Sequence, residues 1–122
     1  MYVRKVLIVD DQYGIRVLLK EILQKDGYKI MEASNGIQAL DILEKEEPDL
    51  MLLDMKIPGM DGVEILQERE NKQLSVHTKV MLMTAYGELN MMNEAQKLGA
   101  STYISKPFDI DEVRNKIENQ LS

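Results

Sequence analysis

Three short runs of the chain, Val6 to Val9, Leu50 to Leu53 and Val80 to Met83, are almost purely apolar, and none alternates apolar with polar residues. A strand with one wet face alternates with a period of two, whereas a strand covered on both faces has no need to. The runs are of strand length, so they predict central strands of a parallel sheet sandwiched between helices. The segments between them carry helical spacing instead. Ile15, Leu18, Leu19, Ile22 and Leu23 fall on one face at i, i+3, i+4, i+7 and i+8, and Ile110, Val113, Ile117 and Leu121 repeat the pattern near the end. Such faces need a sheet to cover.

Two weaker strand candidates, Lys29 to Ala33 and Thr102 to Ser105, complete the set. Gly27, Pro48 and Gly99 punctuate helix ends, and the pairs Asn35 with Gln38, Asp61 with Glu64, and Asp109 with Glu112 mark helix starts. The order is β-α repeated five times, which implies right-handed crossovers and a doubly wound sheet. Placing the two polar-tinged strands at the edges leaves the spatial order 2-1-3-4-5, the flavodoxin-like α/β arrangement. With 122 residues and no linker, repeat or low-complexity tract, one domain spanning residues 1–122 is expected.

Composition removes several classes of function. The chain has 15 Lys and Arg against 21 Asp and Glu, a formal charge of −6 that repels a polyanion, so no nucleic-acid partner is expected. There is no Cys, hence no disulfide, thiolate metal site or Cys nucleophile. No apolar stretch is long enough for a membrane span or secretory segment, which makes a cytoplasmic protein without a membrane partner the expectation.

In an open sheet of order 2-1-3-4-5, ligands bind beyond the carboxyl ends of the strands, where the winding reverses between the first and third. The first strand ends in Asp10-Asp11, the third in Asp54, the fourth in Thr84, and the fifth runs into Lys106-Pro107. Each alone reads as a cap or a solvated loop residue. Together they put three carboxylates on one rim, and like charges about 4 Å apart repel by some 4 kcal/mol at an effective dielectric of 20. One Lys does not offset three carboxylates. An oxygen-only cluster suits a hard cation, so Mg²⁺ is the expected cofactor, with Mn²⁺ as a surrogate. A metal, a carboxylate, a hydroxyl and an ammonium around one cavity make a phosphoryl-transfer site, with Asp54 as nucleophile and Thr84 and Lys106 stabilising the phosphoryl oxygens.

These residues stand in motifs that resemble the receiver domain of bacterial two-component response regulators. The motifs are Leu7-Ile8-Val9-Asp10-Asp11, Leu52-Leu53-Asp54-Met55-Lys56-Ile57-Pro58-Gly59-Met60-Asp61-Gly62, Met83-Thr84-Ala85 and Lys106-Pro107-Phe108. The resemblance implies Asp54 as phosphoacceptor, and Asp10, Asp11, Asp54 and the main-chain carbonyl of Lys56 as metal ligands. It further implies Thr84 and Tyr103 as a switch pair, and Lys106 as the phosphate-binding cation before a cis peptide to Pro107. A longer set, including Asp10 through Arg16, Thr84-Ala85-Tyr86-Gly87-Glu88 and Lys106 through Glu112, resembles stand-alone receivers of a sporulation phosphorelay. That resemblance implies a phosphorelay intermediate, loaded from the phosphohistidine of a sensor histidine kinase and unloaded onto a His of a downstream phosphotransferase, with aspartyl-phosphate phosphatases as further partners. With no output domain expected after Ser122, the signal leaves through another protein. The enzymatic role is then limited to catalysing its own aspartyl phosphorylation, without turnover of small metabolites.

Partners must reach the rim. Gly14 offers close approach, and Ile15 and Leu18 beside Pro107 and Phe108 form an apolar patch, although Ile15 and Leu18 equally fit the core stripe. Lys56, two positions after the phosphoacceptor, either tunes the lifetime of the phosphate or is a solvated loop residue. Tyr103 is a switch residue or the cover of an edge strand. His77, the sole His, precedes the fourth strand and is expected on a surface loop at the opposite end of the sheet. Three rival classes stay open on the residues alone: an Mg²⁺-dependent phosphohydrolase, a flavin carrier of the same topology, and a binding module indifferent to phosphate. The adjacent rather than spaced Asp pair argues against the first, and Asp11-Gln12-Tyr13-Gly14 in place of a small-residue phosphate cradle argues against the second. The third would be expected to have lost an acidic or Lys position, and none is missing.

Overall fold

The strands form where the apolar runs predict them: β1 (Lys5–Val9), β2 (Lys29–Ala33), β3 (Leu50–Asp54), β4 (Lys79–Thr84) and β5 (Ala100–Ser105). They alternate with α1 (Tyr13–Lys25), α2 (Gly36–Glu46), α3 (Gly62–Asn71), α4 (Leu89–Lys97) and α5 (Ile110–Leu121). The computed structural model describes residues 2–85 and 88–122; the Tyr86-Gly87 portion of the longer motif lies outside the described residues. All strand pairs are parallel and the order is β2-β1-β3-β4-β5, the doubly wound order expected from the sequence.

The missing alternation in the central strands has its cause in the two cores. Leu7, Val9, Met51, Leu53, Val80 and Leu82 face one side, where Ala39 and Leu43 of α2, Ile65 and Leu66 of α3 and Ala95 of α4 cover them. Val6, Ile8, Leu50, Leu52, Met81 and Met83 face the other, against Leu19 and Leu23 of α1 and Val113, Ile117 and Leu121 of α5. Each fully buried side chain of this size contributes about 1.5–3 kcal/mol. Two cores thus clamp β1, β3 and β4 from both faces and hold the carboxyl ends of these strands in place.

The helix starts follow the sequence signals with one change. Asn35 Oδ1 accepts from the Gln38 N–H at 2.9 Å and Asp61 Oδ1 from the Glu64 N–H at 2.9 Å, as expected. The Asp109 carboxylate instead takes the nearer N–H of Asp111, at 2.8 Å, leaving Glu112 out of the cap. Gly27 (φ +96°) and Gly99 (φ +107°) occupy the left-handed region just past α1 and α4, where an L side chain is strained. The stripe on α1 is narrower than its spacing suggests. Leu19 and Leu23 are buried and Ile15 packs at the edge of the core, but Leu18 is 43% exposed, because the flank of α1 that carries it is not covered by the sheet. β5 also begins earlier than Thr102, with a register irregularity against β4 at Val80/Met81.

Candidate active site

Five positions singled out in the sequence stand at the carboxyl ends of four strands. Asp10 and Asp11 follow β1, Asp54 closes β3, Thr84 closes β4, and Lys106 follows β5 and precedes a cis peptide bond to Pro107. Side-chain oxygens of Asp10, Asp11 and Asp54 lie within 4.8 Å of one another, which the pairing of β1 with β3 brings about. Across this cluster the Lys106 Nζ donates to Asp10 Oδ2 at 2.8 Å and to Asp54 Oδ2 at 3.3 Å, joining residues 96 and 52 positions apart in the chain.

The immediate surroundings hold each carboxylate in place. Asp10 is fully buried, and its Oδ1 accepts the Gln12 N–H at 2.8 Å. Its carbonyl oxygen accepts from Arg16 Nη1 at 2.6 Å, and Arg16 is in turn paired with Glu32 on β2 at 3.3 Å. Asp54, 7% exposed, accepts the Lys56 N–H on Oδ1 at 3.3 Å. Gly62 at the head of α3 lets this helix seat directly on the strand end. A Cβ there would stand 3.1 Å from Met55 Cα and 3.3 Å from Asp54 O, so any larger residue pushes against the backbone that carries Asp54.

Burial, followed by the Asp10 carboxylate, raises the Asp54 carboxyl above its ordinary pKa, and Lys106 with the Lys56 N–H only partly opposes them. Burial alone would lower the Lys106 ammonium, but its hydrogen bond to Asp10 and the charges of both carboxylates outweigh it, so its pKa lies above the ordinary Lys value. Lys106 is therefore a fixed positive charge at neutral pH. Three carboxylates against one ammonium leave two uncompensated negative charges. The donor set is oxygen only, and Asp11 is exposed, so a ligand oxygen is open to solvent. This fits a hard divalent cation such as Mg²⁺, which takes one or two carboxylates and keeps positions for water and a phosphate oxygen.

The Thr84 hydroxyl is buried beside this cluster and donates to the Ile104 carbonyl at 3.3 Å. Tyr103 points outward, 41% exposed, with the Lys116 ammonium 5.3 Å from its ring centre and bonded to its carbonyl oxygen at 2.7 Å. Lys56 is exposed and lines a cavity of about 440 Å³ beside the cluster with Asp11, Ile57, Pro58, Asp61 and Met91. Gly14 is exposed at the first turn of α1, where an added Cβ would meet nothing within 4 Å. Leu18 and Pro107 are exposed, whereas Ile15 and Phe108 are half-buried against the α1/α5 core. His77 is exposed in the loop before β4, away from the cluster. The sequence reading gave no role to Arg16 or to Glu88, which is 4% exposed with its carboxylate on the Ala85 N–H at 2.8 Å. Arg16 carries a weak signal, one helical turn past Asp10-Asp11. Glu88 carries none until its burial is seen. No helix is long and apolar enough to cross a membrane among the described residues.

Comparison with known proteins places this fold among known families. The family model of the response regulator receiver domain matches residues 6–118. The chain is 58% identical over 117 residues to sporulation initiation phosphotransferase F of Bacillus subtilis (strain 168), covering 96% of this chain and 93% of that one. It is 36% identical over 119 residues to the chemotaxis protein CheY of the same organism, covering 97% and 98%. Among solved structures, a CheY-like receiver domain protein from Methanospirillum hungatei JF-1 superposes with a TM-score of 0.91 at 31% identity, covering 98% of this chain and 94% of that one. With the family model matching residues 6–118 and the 58% identical relative covered almost end to end, the chain belongs to the response regulator receiver domain family.

Proposed function

We propose that the protein is a phosphorelay receiver in which Asp54 carries the phosphoryl group. The supporting observation is the double contact of Lys106 Nζ with Asp10 and Asp54, which fixes a cation between the metal-binding and phosphate-accepting carboxylates. Asp10, Asp11, Asp54 and the Lys56 carbonyl would hold Mg²⁺, which, when bound, neutralises the carboxylates and polarises a phosphoryl oxygen. Asp54 attacks phosphorus in line; the bond from phosphorus to the donor's imidazole nitrogen breaks as the carboxylate oxygen bond forms, and the imidazole, already protonated on its other ring nitrogen, takes the electron pair and leaves neutral. Lys106 moves with the developing charge from the carboxylate to a phosphoryl oxygen, and the Thr84 hydroxyl turns from Ile104 to a second. Transfer onward reverses these bonds with a new His as acceptor.

The donor in this proposal is a sensor histidine kinase and the acceptor a histidine phosphotransferase, in the pathway of sporulation initiation that names the 58% identical relative. Aspartyl-phosphate phosphatases compete for the same rim, and all of these act in the cytoplasm. Gly14, Ile15, Leu18, Pro107 and Phe108 form the contact surface. Open space at Gly14 and the exposure of Leu18 support this, since the chain's own packing requires neither. Tyr103 and Thr84 report the phosphorylated state, and Lys56 sets its lifetime. The test incubates the protein with phosphoramidate and Mg²⁺ and weighs it intact. One phosphoryl group is gained, chelation of Mg²⁺ or Asp54→Ala prevents the gain, and p-nitrophenyl phosphate is not turned over. Steady turnover of that ester would make the protein a phosphohydrolase instead.

A further inference from the structure

Glu88 stands at the N-cap position of α4 yet does not cap it. Asn35, Asp61 and Asp109 occupy the same position on α2, α3 and α5 and each bonds a backbone N–H of its own helix. The Glu88 carboxylate reaches back instead, accepting the N–H of Ala85, the residue that follows Thr84 at the end of β4. It is 4% exposed and has no ion-pair partner among the described residues. Among the described residues a single neutral donor meets this buried carboxylate, an expensive way to fix a turn. Asp54 is in register with Met83 on β4, so Ala85 lies two residues beyond it, at the rim where a phosphoryl group on Asp54 would stand.

We infer that Glu88 is a positioning residue acting through Ala85, an internal anion that holds the Ala85 N–H until the Asp54 phosphoryl group takes it over. This inference rests on the phosphorelay reading above. The two anions compete for one donor. In the resting protein the bond belongs to Glu88 and ties the end of β4 to the start of α4. Phosphorylation transfers it to a phosphoryl oxygen and releases the carboxylate, which frees the N-terminus of α4. Removing the carboxylate therefore favours the phosphorylated state, whereas a residue serving stability alone would at best leave it unchanged.

The experiment treats wild type, Glu88→Ala and Glu88→Gln with acetyl phosphate and Mg²⁺, measuring the steady-state phosphorylated fraction by intact mass and the Ala85 amide by NMR. Expected are a ratio of phosphorylated to free protein at least 3-fold above wild type for Glu88→Ala, and a smaller rise for Glu88→Gln, which keeps an acceptor oxygen. The Ala85 amide should shift on phosphorylation of wild type, and shift already in resting Glu88→Ala. A Glu88→Ala ratio within 2-fold of wild type or below it, or an Ala85 amide unmoved by phosphorylation of wild type, would overturn the inference. If Glu88→Ala does not fold, Glu88→Gln decides: any reproducible rise above wild type supports the inference, and a ratio at or below wild type overturns it. Failure of wild type to accept phosphate at all sinks the phosphorelay reading itself and is seen separately in the wild-type arm.

Discussion

Replacing Asp54 by Asn should make the metal-free protein more stable while removing its phosphoacceptor. At 4.8 Å, the upper limit of their separations, and an effective dielectric of 20, each carboxylate pair repels by at least about 3.5 kcal/mol. The Asp10 pair is buried and keeps most of that, while exposure of Asp11 reduces its share to roughly 1 kcal/mol. Lys106 at 3.3 Å returns about 5 kcal/mol, so the charge interactions of Asp54 nearly cancel. What remains is the desolvation of a carboxylate that is 7% exposed, in agreement with burial as the main cause of its raised pKa. Asn keeps the shape and an acceptor oxygen without that penalty. A gain of about 1–2 kcal/mol is expected, or roughly 4–8 °C in Tm for a domain of this size.

The sign with pH is fixed by the direction of the Asp54 shift. A carboxyl whose folded pKa exceeds its ordinary 3.8 binds protons more tightly in the folded state. Its destabilising effect is therefore absent below that ordinary value and complete above the folded one. The Tm difference between Asp54→Asn and wild type should open across this window and stay open at neutral pH. Calorimetry in EDTA measures it. Saturating Mg²⁺ should narrow it, since ligand at 100 times Kd adds about 2.7 kcal/mol to wild type and less to a variant lacking one ligand. A lower Tm for Asp54→Asn in EDTA, or a difference unaffected by Mg²⁺, would refute the reasoning.

Other substitutions probe separate parts of the account. Lys106→Met leaves Asp10 fully buried without its cation and should cost about 3–5 kcal/mol by urea unfolding at pH 7; a loss under 1 kcal/mol would show the pair to be weak. Gly62→Ala forces a methyl against Met55 Cα and should lose about 1–3 kcal/mol together with a fall in phosphorylation rate, whereas normal values for both would mean that α3 shifts freely. Leu18→Ala should stay within about 0.5 kcal/mol of wild type yet slow transfer to a partner histidine, and Ile15→Ala should slow transfer more than its loss of stability explains. A stability loss above about 2 kcal/mol for Ile15→Ala would assign that residue to packing. Lys56→Ala should leave Tm unchanged and alter the decay of the phosphorylated protein; an unchanged decay would return Lys56 to the solvated loop.

The fold was legible because burial on both faces removes polarity from β1, β3 and β4, and no other common environment does that to three short runs at once. The rim was legible for a related reason: charged residues directly after apolar strands have only the carboxyl edge to occupy. Positions depending on how far a neighbour reaches were harder. Leu18 keeps helical spacing with Leu19 and Ile22 whether or not the sheet extends under it, and the Asp109 carboxylate chooses Asp111 over Glu112 by loop geometry alone. Glu88 stayed hidden because an acid at a helix start reads as a solvated surface residue, and only its burial and the direction of its side chain tell otherwise.

Trapping the acyl phosphate tests the central claim most directly. The protein is treated with acetyl phosphate in Mg²⁺ or EDTA, reduced with borohydride, and its peptides are sequenced by mass spectrometry. The account predicts homoserine at position 54, formed in Mg²⁺ and not in EDTA; homoserine at any other aspartate, or none at all, would contradict it.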